Sequence, residues 1–407
     1  MSAPAVHLGI EVLAADPPKW LQGRRLGLLC NQASCDRAFR HSREILAGAF
    51  PGGLISLFTP QHGFFADKQD NMIETAHGRD PFSGLPVWSL YGETRTPTPA
   101  MLADIDVLVI DIQDVGTRVY TFFSTVAYCL KACAAAGRQV LVLDRPNPLG
   151  GLAVEGNLLA GDCRSFVGLY PLPMRHGLTV AEFARLANDG FGIGADLSVI
   201  PMAGWQRGML FPDTGLPWVF PSPNMPTFAA ALVYPGQVLW EGTNVSEGRG
   251  TTMPFELCGA PYWQPAAIRE RLSAPDLAGA ILRPVAFEPT ANKWQGSFCC
   301  GFQIHVTDPV TFQPYRLSLA LLRACLALYP EALAYKPPPY EYEFERLPLD
   351  LILGSRALRL ALEAGADLAD LVAGWQEDLA SYRERVASHL LYPAAPEVPG
   401  DVQEGSG

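Results

Sequence analysis

One stretch constrains the fold more than any other: VLVIDIQDVGTRVYT, from Val107 to Thr121. Its first four residues, Val107 to Ile110, are apolar and mostly β-branched, with no polar position on either face, as in a strand covered on both sides by helices. Such strands pair in parallel. Asp111, Gln113 and Asp114 then stand at the strand's carboxyl end, where open α/β sheets gather their ligands. Gly116 lets the chain turn, Arg118 and Tyr120 follow, and a helix is expected over 122–136. Each charge also has a plainer reading: Asp111 or Asp114 as a helix cap, Arg118 as the partner of one of them.

The same alternation recurs on both sides. A strand at 26–30 leads to Asn31, a helix is expected at 41–50, and a strand at 54–59 runs into Pro60, Gln61, His62 and Gly63. The segment 84–99, GLPVWSLYGETRTPTP, is too rich in proline and turn residues for a long helix and reads as a loop carrying Tyr91, Glu93 and Arg95. A further strand at 139–143 again ends in polar residues: Asp144, Arg145 and Asn147. Strand, helix and strand in this order predict an α/β fold with a doubly wound parallel sheet.

Beyond Gly151 the pattern loosens. Thr179 with Glu182 three residues on is a capping box, so a helix is expected over 179–188, followed by a strand at 197–201. His176 closes an extended stretch, and Asn224 lies in the rigid turn SPNMP. A second dense polar cluster, EGTNVSEGRGTTMPFE at 241–256, holds three glutamates, three glycines, Asn244 and Arg249. Small residues and many donors suit a loop that approaches a ligand closely. A strand at 301–306, a helix at 315–328, a stiff connection at 337–342 and a helical apolar stripe over 367–391 complete the chain. The tail beyond 393 is rich in Pro, Gly and Glu and is expected to lack structure.

Composition narrows the function. A chain of 407 residues suggests two domains or three. A net charge of −11 and a pI near 5.1 argue against a nucleic-acid partner, which needs a basic face. No apolar run reaches the ~18 to 20 residues of a membrane span, and no basic-then-apolar export signal opens the chain, so a cytoplasmic protein is expected. The nine cysteines are scattered among apolar neighbours and read as buried thiols; Cys129 and Cys133 lack the histidines of a zinc site. No phosphate loop, GxSxG elbow or HExxH occurs, and Gly192 with Gly194 is too little for a dinucleotide fingerprint. Neither metal nor cofactor is expected.

What remains is a set of carboxylates, amides, arginines and aromatics at loop tips, which suits sugar recognition and glycoside hydrolysis. Five motifs then resemble a known family: SLYGETRTPTP at 89–99, DIQDVGTRVYT at 111–121, DRPNPLGG at 144–151, SPNMP at 222–226 and EGTNVSEGRGTTMPFE at 241–256. They are similar to the bacterial exo-β-N-acetylmuramidases, long catalogued as a domain of unknown function, and the resemblance spans nearly the whole chain. It implies a glycosidase that removes N-acetylmuramic acid from the non-reducing ends of peptidoglycan fragments. It also implies a Rossmann-like N-terminal domain without a dinucleotide, taken here as 1–230, and a smaller α+β C-terminal domain, 231–393, with the active site between them. The tail is then 394–407. One position departs from the family, which reads PEHG, followed shortly by a basic residue, where this chain has Pro60, Gln61, His62, Gly63, Phe64 and Phe65.

On this reading Glu93 is the expected general acid, because Tyr91, Arg95 and several prolines around it would dry the site and raise its pKa. Glu247 is the expected base or nucleophile, with Asp114 the alternative, unless the substrate's own acetamido group attacks. Arg118 or Arg249 would pair with the lactyl carboxylate of muramic acid. Asn31, His62, Tyr91, Arg95, Asp111, Gln113, Tyr120, His176, Asn224 and Asn244 are the remaining expected substrate contacts. Two other classes stay open: a non-catalytic cell-wall sugar-binding protein, favoured by Gln61, and an amidase or esterase acting on muropeptides, disfavoured by the lack of a nucleophile or metal motif.

Overall fold

Every residue of the Val107–Asp111 run is buried, and it forms an interior strand of a seven-stranded sheet, next to the middle one. A computed structural model of the chain describes residues 5–65, 68 and 72–394. The strands of this sheet are β1 (Leu26–Cys30), β2 (Leu54–Thr59), β3 (Gly78–Arg79), β4 (Pro86–Ser89), β5 (Val107–Asp111), β6 (Gln139–Leu143) and β7 (Leu197–Ile200). Their spatial order is β3-β4-β2-β1-β5-β6-β7, and only the short edge strand β3 runs antiparallel to its neighbour. Winding reverses between β1 and β5, so the doubly wound α/β expectation holds, and the topological switch point lies at their carboxyl ends.

A second, smaller sheet is antiparallel: β8 (Leu257–Ala260), β9 (Ala280–Phe287) and β10 (Cys299–Val306), in the order β8-β10-β9. It packs with the helix Phe228–Gln237, which in turn packs on the helix Pro314–Leu328. These two helices approach closely at Gly236, where an added Cβ would sit 1.9 Å from the Pro314 carbonyl oxygen. Residues of both sheets, Ile110 and Phe302 among them, share one continuous core.

Several sequence expectations are corrected in detail. The segment 84–99 is not all loop, because β4 adds to β2 with Val87 opposite Leu57. Pro86 opens that strand, where a missing N–H is tolerated. The helix at 179–188 has the expected Thr179 cap and Glu182 partner but ends at Arg185, and Leu186–Gly190 winds more loosely. The stripe at 367–391 is two helices, Leu368–Gly374 and Gln376–Ala387, broken at Trp375. Residues 395–407, nearly all of the expected tail, lie outside the described residues. No helix among the described residues is long and apolar enough to cross a membrane.

Candidate active site

The loop leaving β2 carries Gln61, whose side chain is buried and fully engaged. Its Nε2 donates to Glu341 Oε1 at 2.9 Å and to the Tyr91 hydroxyl at 3.2 Å, and its Oε1 accepts from Thr121 Oγ1 at 2.6 Å. Tyr91, just beyond β4, donates its hydroxyl to Glu341 Oε2 at 2.6 Å. Thr121 is the cap of the Phe122–Ala136 helix. Two loops at the carboxyl edge of the large sheet therefore converge on one carboxyl group from the strap 337–342, and a third braces Gln61 through Thr121. That carboxyl is Glu341, 3% exposed. Its own backbone is left-handed, with φ +48°.

Burial pushes the Glu341 carboxyl up to about 7, helped by the charge of Glu241 and opposed by the Tyr91 and Gln61 hydrogen bonds. Glu241 sits in the turn Val238–Gly242, at the start of the second polar cluster. Its Oε1 accepts from Arg249 at 2.7 Å and its Oε2 from the Tyr340 hydroxyl at 2.7 Å. Glu241 and Glu341 line one cleft together with Gln61, His62, Tyr120, Thr121, Asn224, Tyr234, Arg249 and Tyr340. About 30 Å³ of free space remains inside it, so a pyranose ring enters only when part of the rim moves.

The expected site residues divide into three groups. His62, Tyr120, Asn224 and Arg249 line this cleft, and Tyr91 holds its carboxyl. Glu247 is buried beside it, with Oε1 3.1 Å from Arg249 Nε and Oε2 2.7 Å from Lys293 Nζ. Burial alone would raise its pKa, but Lys293 and Arg249 overcome that and hold it below the usual carboxylate range. It faces a neighbouring side cavity lined also by Arg249, Glu241, Asn292, Lys293 and Lys336.

The third group is structural. Asp111, at the β1/β5 switch point, is ion-paired with Arg145 and accepts from Ser42. Arg118, expected to bind a carboxylate, is instead a backbone clamp: it donates to the carbonyls of Asn157, Leu172, Ile352 and Leu353 at 2.8 to 3.0 Å. Gln113 donates to the Asp114 and Pro146 carbonyls, and Asn31 to that of Pro221. His176 is 1% exposed, accepts from the Leu178 N–H and packs on Phe123. Asn244 bridges Ala332, Ala334 and Tyr262 away from the cleft. Arg95 stacks on Tyr342, 3.6 Å from its ring centre.

Glu93 departs most from expectation. It is exposed, so the dry setting expected around it is missing. Asp114 does have a dry environment: burial pushes its carboxyl up to about 7 against the hydrogen bonds of the Gly116 and Val115 N–H groups. It lies 3.8 Å from His176 and lines no cavity with the other carboxyls. Sequence reasoning missed Glu241 as a distinct candidate and Glu341 altogether. Glu341 lies within PPPYEY, and the only signal there was a rigid, aromatic setting for an acid. Among the described residues no cluster of three His, Cys, Asp or Glu is placed to hold a metal ion.

Comparison with known proteins follows the same geometry. The model described as "Exo-beta-N-acetylmuramidase NamZ, N-terminal" matches residues 26–229, and its C-terminal counterpart matches 232–392. The chain belongs to the NamZ family. A curated relative, the peptidoglycan β-N-acetylmuramidase NamZ of Bacillus subtilis (strain 168), is 42% identical over 390 residues, covering 96% of this chain and 92% of that protein. Two crystal structures of DUF1343 family proteins from Bacteroides fragilis NCTC 9343 share the fold. One superimposes with a TM-score of 0.86 at 33% identity, covering 95% of this chain and 99% of the other. The second gives 0.71 at 27% identity, covering 96% and 100%. The NamZ family is thus the one that the five sequence motifs resemble.

Proposed function

We propose that this chain is an exo-β-N-acetylmuramidase that releases N-acetylmuramic acid from the non-reducing ends of peptidoglycan fragments, with Glu341 as general acid and Glu241 as its ion-paired partner. The observation that carries the assignment of roles is the contrast between two carboxyls lining one cleft. Glu341 is dry and holds a proton up to about pH 7, whereas Glu241 is tied to the Arg249 guanidinium. Carboxyls whose environments diverge in this way divide the work of glycoside hydrolysis.

Glu341 delivers its proton to the glycosidic oxygen as the bond to the leaving sugar breaks, and Tyr91 and Gln61 keep the carboxyl aimed. Glu241 faces the positive charge that develops at the anomeric carbon, or orients the acetamido group or water that attacks there. Arg249 fixes Glu241 in place, and Tyr120 and Tyr234 supply aromatic wall. The reaction belongs in the cytoplasm on fragments being recycled. Nine free cysteines, seven of them buried, suit a reducing compartment.

The test is release of chromophore from a β-N-acetylmuraminide beside the matching β-N-acetylglucosaminide. Cleavage of the first alone, abolished in Glu341→Gln, is the expected result. One observation favours a second reading, a sugar-binding protein without turnover: the departure from the family pattern at Gln61 falls inside the cleft, against the proposed acid. Binding of the muraminide without cleavage would establish that reading, and release of peptide instead of sugar would point to an amidase.

A further inference from the structure

The loop leaving β2 faces two spaces, and the proposed catalytic roles use only one of them. Gln61 and His62 line the cleft, whereas Thr59 and Gly63, on either side of them, line an outer groove of about 240 Å³. The backbone turns from one to the other at two consecutive left-handed positions, His62 with φ +73° and Gly63 with φ +77°. Phe64, Phe65, Thr75 and Val87 continue the groove.

An aromatic platform extends from it. Phe65 and Phe82 are 44% and 76% exposed, with ring centres 6.3 Å apart, and Phe65 also meets the buried Phe64 edge-on at 4.9 Å. The platform is braced from behind. The Arg43 guanidinium lies 4.9 Å from the Phe64 ring centre and 5.0 Å from that of Phe82, and it is ion-paired with buried Asp80 at 3.2 Å. Asp80 also accepts from the Ser83 N–H at 2.9 Å, which closes the turn that presents Phe82. Exposed rings fixed in this way form a surface prepared for the apolar face of a ligand.

The position of the platform identifies that ligand. A general acid protonates the glycosidic oxygen, so the leaving chain lies on the acid's side of the cleft. Glu341 is held by Gln61 and Tyr91, and both holders adjoin the groove. Gln61 sits between Thr59 and Gly63, and Tyr91 accepts at its carbonyl from the Thr75 N–H at 2.9 Å. Glu241 and Arg249, by contrast, do not line the groove. Phe65 is three residues from His62, so at most about 11 Å separates their Cα atoms, within reach of a chain that continues out of the cleft.

We propose that Phe65 and Phe82 form a subsite for the leaving glycan chain, where the apolar face of an N-acetylhexosamine beyond the scissile bond stacks on the exposed rings. The inference rests on the muramidase reading for the direction of the chain. Fragments with more sugars on the reducing side of the scissile bond are then bound more tightly.

Two substrates test the inference: the chromogenic β-N-acetylmuraminide, and a peptide-free tetrasaccharide of alternating N-acetylmuramic acid and N-acetylglucosamine with muramic acid at its non-reducing end. The readout is the ratio of kcat/KM for the tetrasaccharide to that for the muraminide. It should fall by about 3- to 10-fold in each of Phe65→Ala and Phe82→Ala, the worth of one aromatic contact, chiefly through a higher KM for the tetrasaccharide. Phe82→Trp should retain the ratio. A ratio unchanged in the double alanine variant would overturn the proposal, and loss of a dimer on sedimentation in that variant with the ratio unchanged would assign the platform to a second copy of the chain instead. If neither substrate is cleaved, calorimetry with the tetrasaccharide separates the two ideas. Weaker binding in the double variant upholds the subsite while the muramidase reading falls, and binding that is absent in wild type or equal in both proteins refutes the subsite.

Discussion

Two regions of this molecule carry clustered charged side chains and use them in opposite ways. At the carboxyl edge of the large sheet, charges are consumed internally. Asp111 takes Arg145, Glu182 takes Arg207, Arg118 takes four carbonyls, and Asp144 receives Thr179, the Ala181 N–H and Tyr392. In the 241–256 loop and the 337–342 strap, carboxyls are held by partners but still face open space. Density of polar residues therefore locates a network, and only packing between distant segments decides which members face a ligand. Glu341 meets Gln61 from 280 residues away.

Replacing Glu341 gives the sharpest test of this division. Glu341→Gln should lower kcat by about 10²- to 10⁴-fold, the usual worth of a general acid, with little loss of thermal stability. Near wild-type turnover would return the search to the sheet edge. The converse substitution is Asp111→Ala, which leaves Arg145 buried without its carboxylate. It should cost about 3 to 5 kcal/mol in urea unfolding, the cost of breaking a buried ion pair from one side. A stable Asp111→Ala protein that had lost only sugar binding would break the comparison, because Asp111 would then be a ligand contact.

Much of the fold was readable from the sequence because its signals are local. The strand cores at 26–30, 54–59, 107–111 and 139–143 are apolar runs bounded by turns, and the helix Phe122–Ala136 ends at Gly137 in the left-handed conformation its φ of +63° requires. The second sheet was harder. In β9, Pro284 interrupts the pattern, and β8 is short with a glycine inside it, so neither gives a clean alternation. The site was only half readable for a related reason. His62, Tyr120, Asn224 and Arg249 lie in glycine-, proline- or amide-rich loops that mark themselves, whereas Glu341 acquires its character only when Tyr91, Gln61 and Glu241 fold around it. Arg118 shows the opposite error, since its motif gave no sign that four carbonyls would claim it.

The pH profile refines the contrast with a smaller effect. Burial raises the Glu341 carboxyl from an ordinary 4.5 to about 7, so kcat should fall as pH rises through about 7 and the acid loses its proton. The same sign applies to stability. A carboxyl with a raised folded pKa favours folding fully below its unfolded pKa, and that contribution is lost between about 4.5 and 7 as pH rises. Urea midpoints should therefore decline over that window, less steeply in Glu341→Gln. Gln61→Glu puts a second carboxyl where an amide N–H now donates 2.9 Å from Glu341 Oε1. The two groups would share a proton, and the alkaline limb should move upward by roughly one unit or more. An unmoved limb would mean that Glu341 does not set it.

The smallest expected effect belongs to the residue that sequence reasoning ranked first. Glu93 shares a loop with Tyr91 and Arg95, and both of those turn inward, to Glu341 and to the face of Tyr342. Glu93 itself is exposed, and it lines neither the cleft nor the side cavity. A general acid must come within hydrogen-bond reach of the leaving oxygen, and an exposed side chain off the walls of both cavities does not. Glu93→Gln should therefore change kcat/KM for the muraminide by about twofold or less, as exposed substitutions usually do. A loss of about 10²-fold, the size expected of a general acid, would mean that this loop folds over the substrate and delivers Glu93 to it. Glu341 would then be the residue that holds Tyr91 and positions the loop.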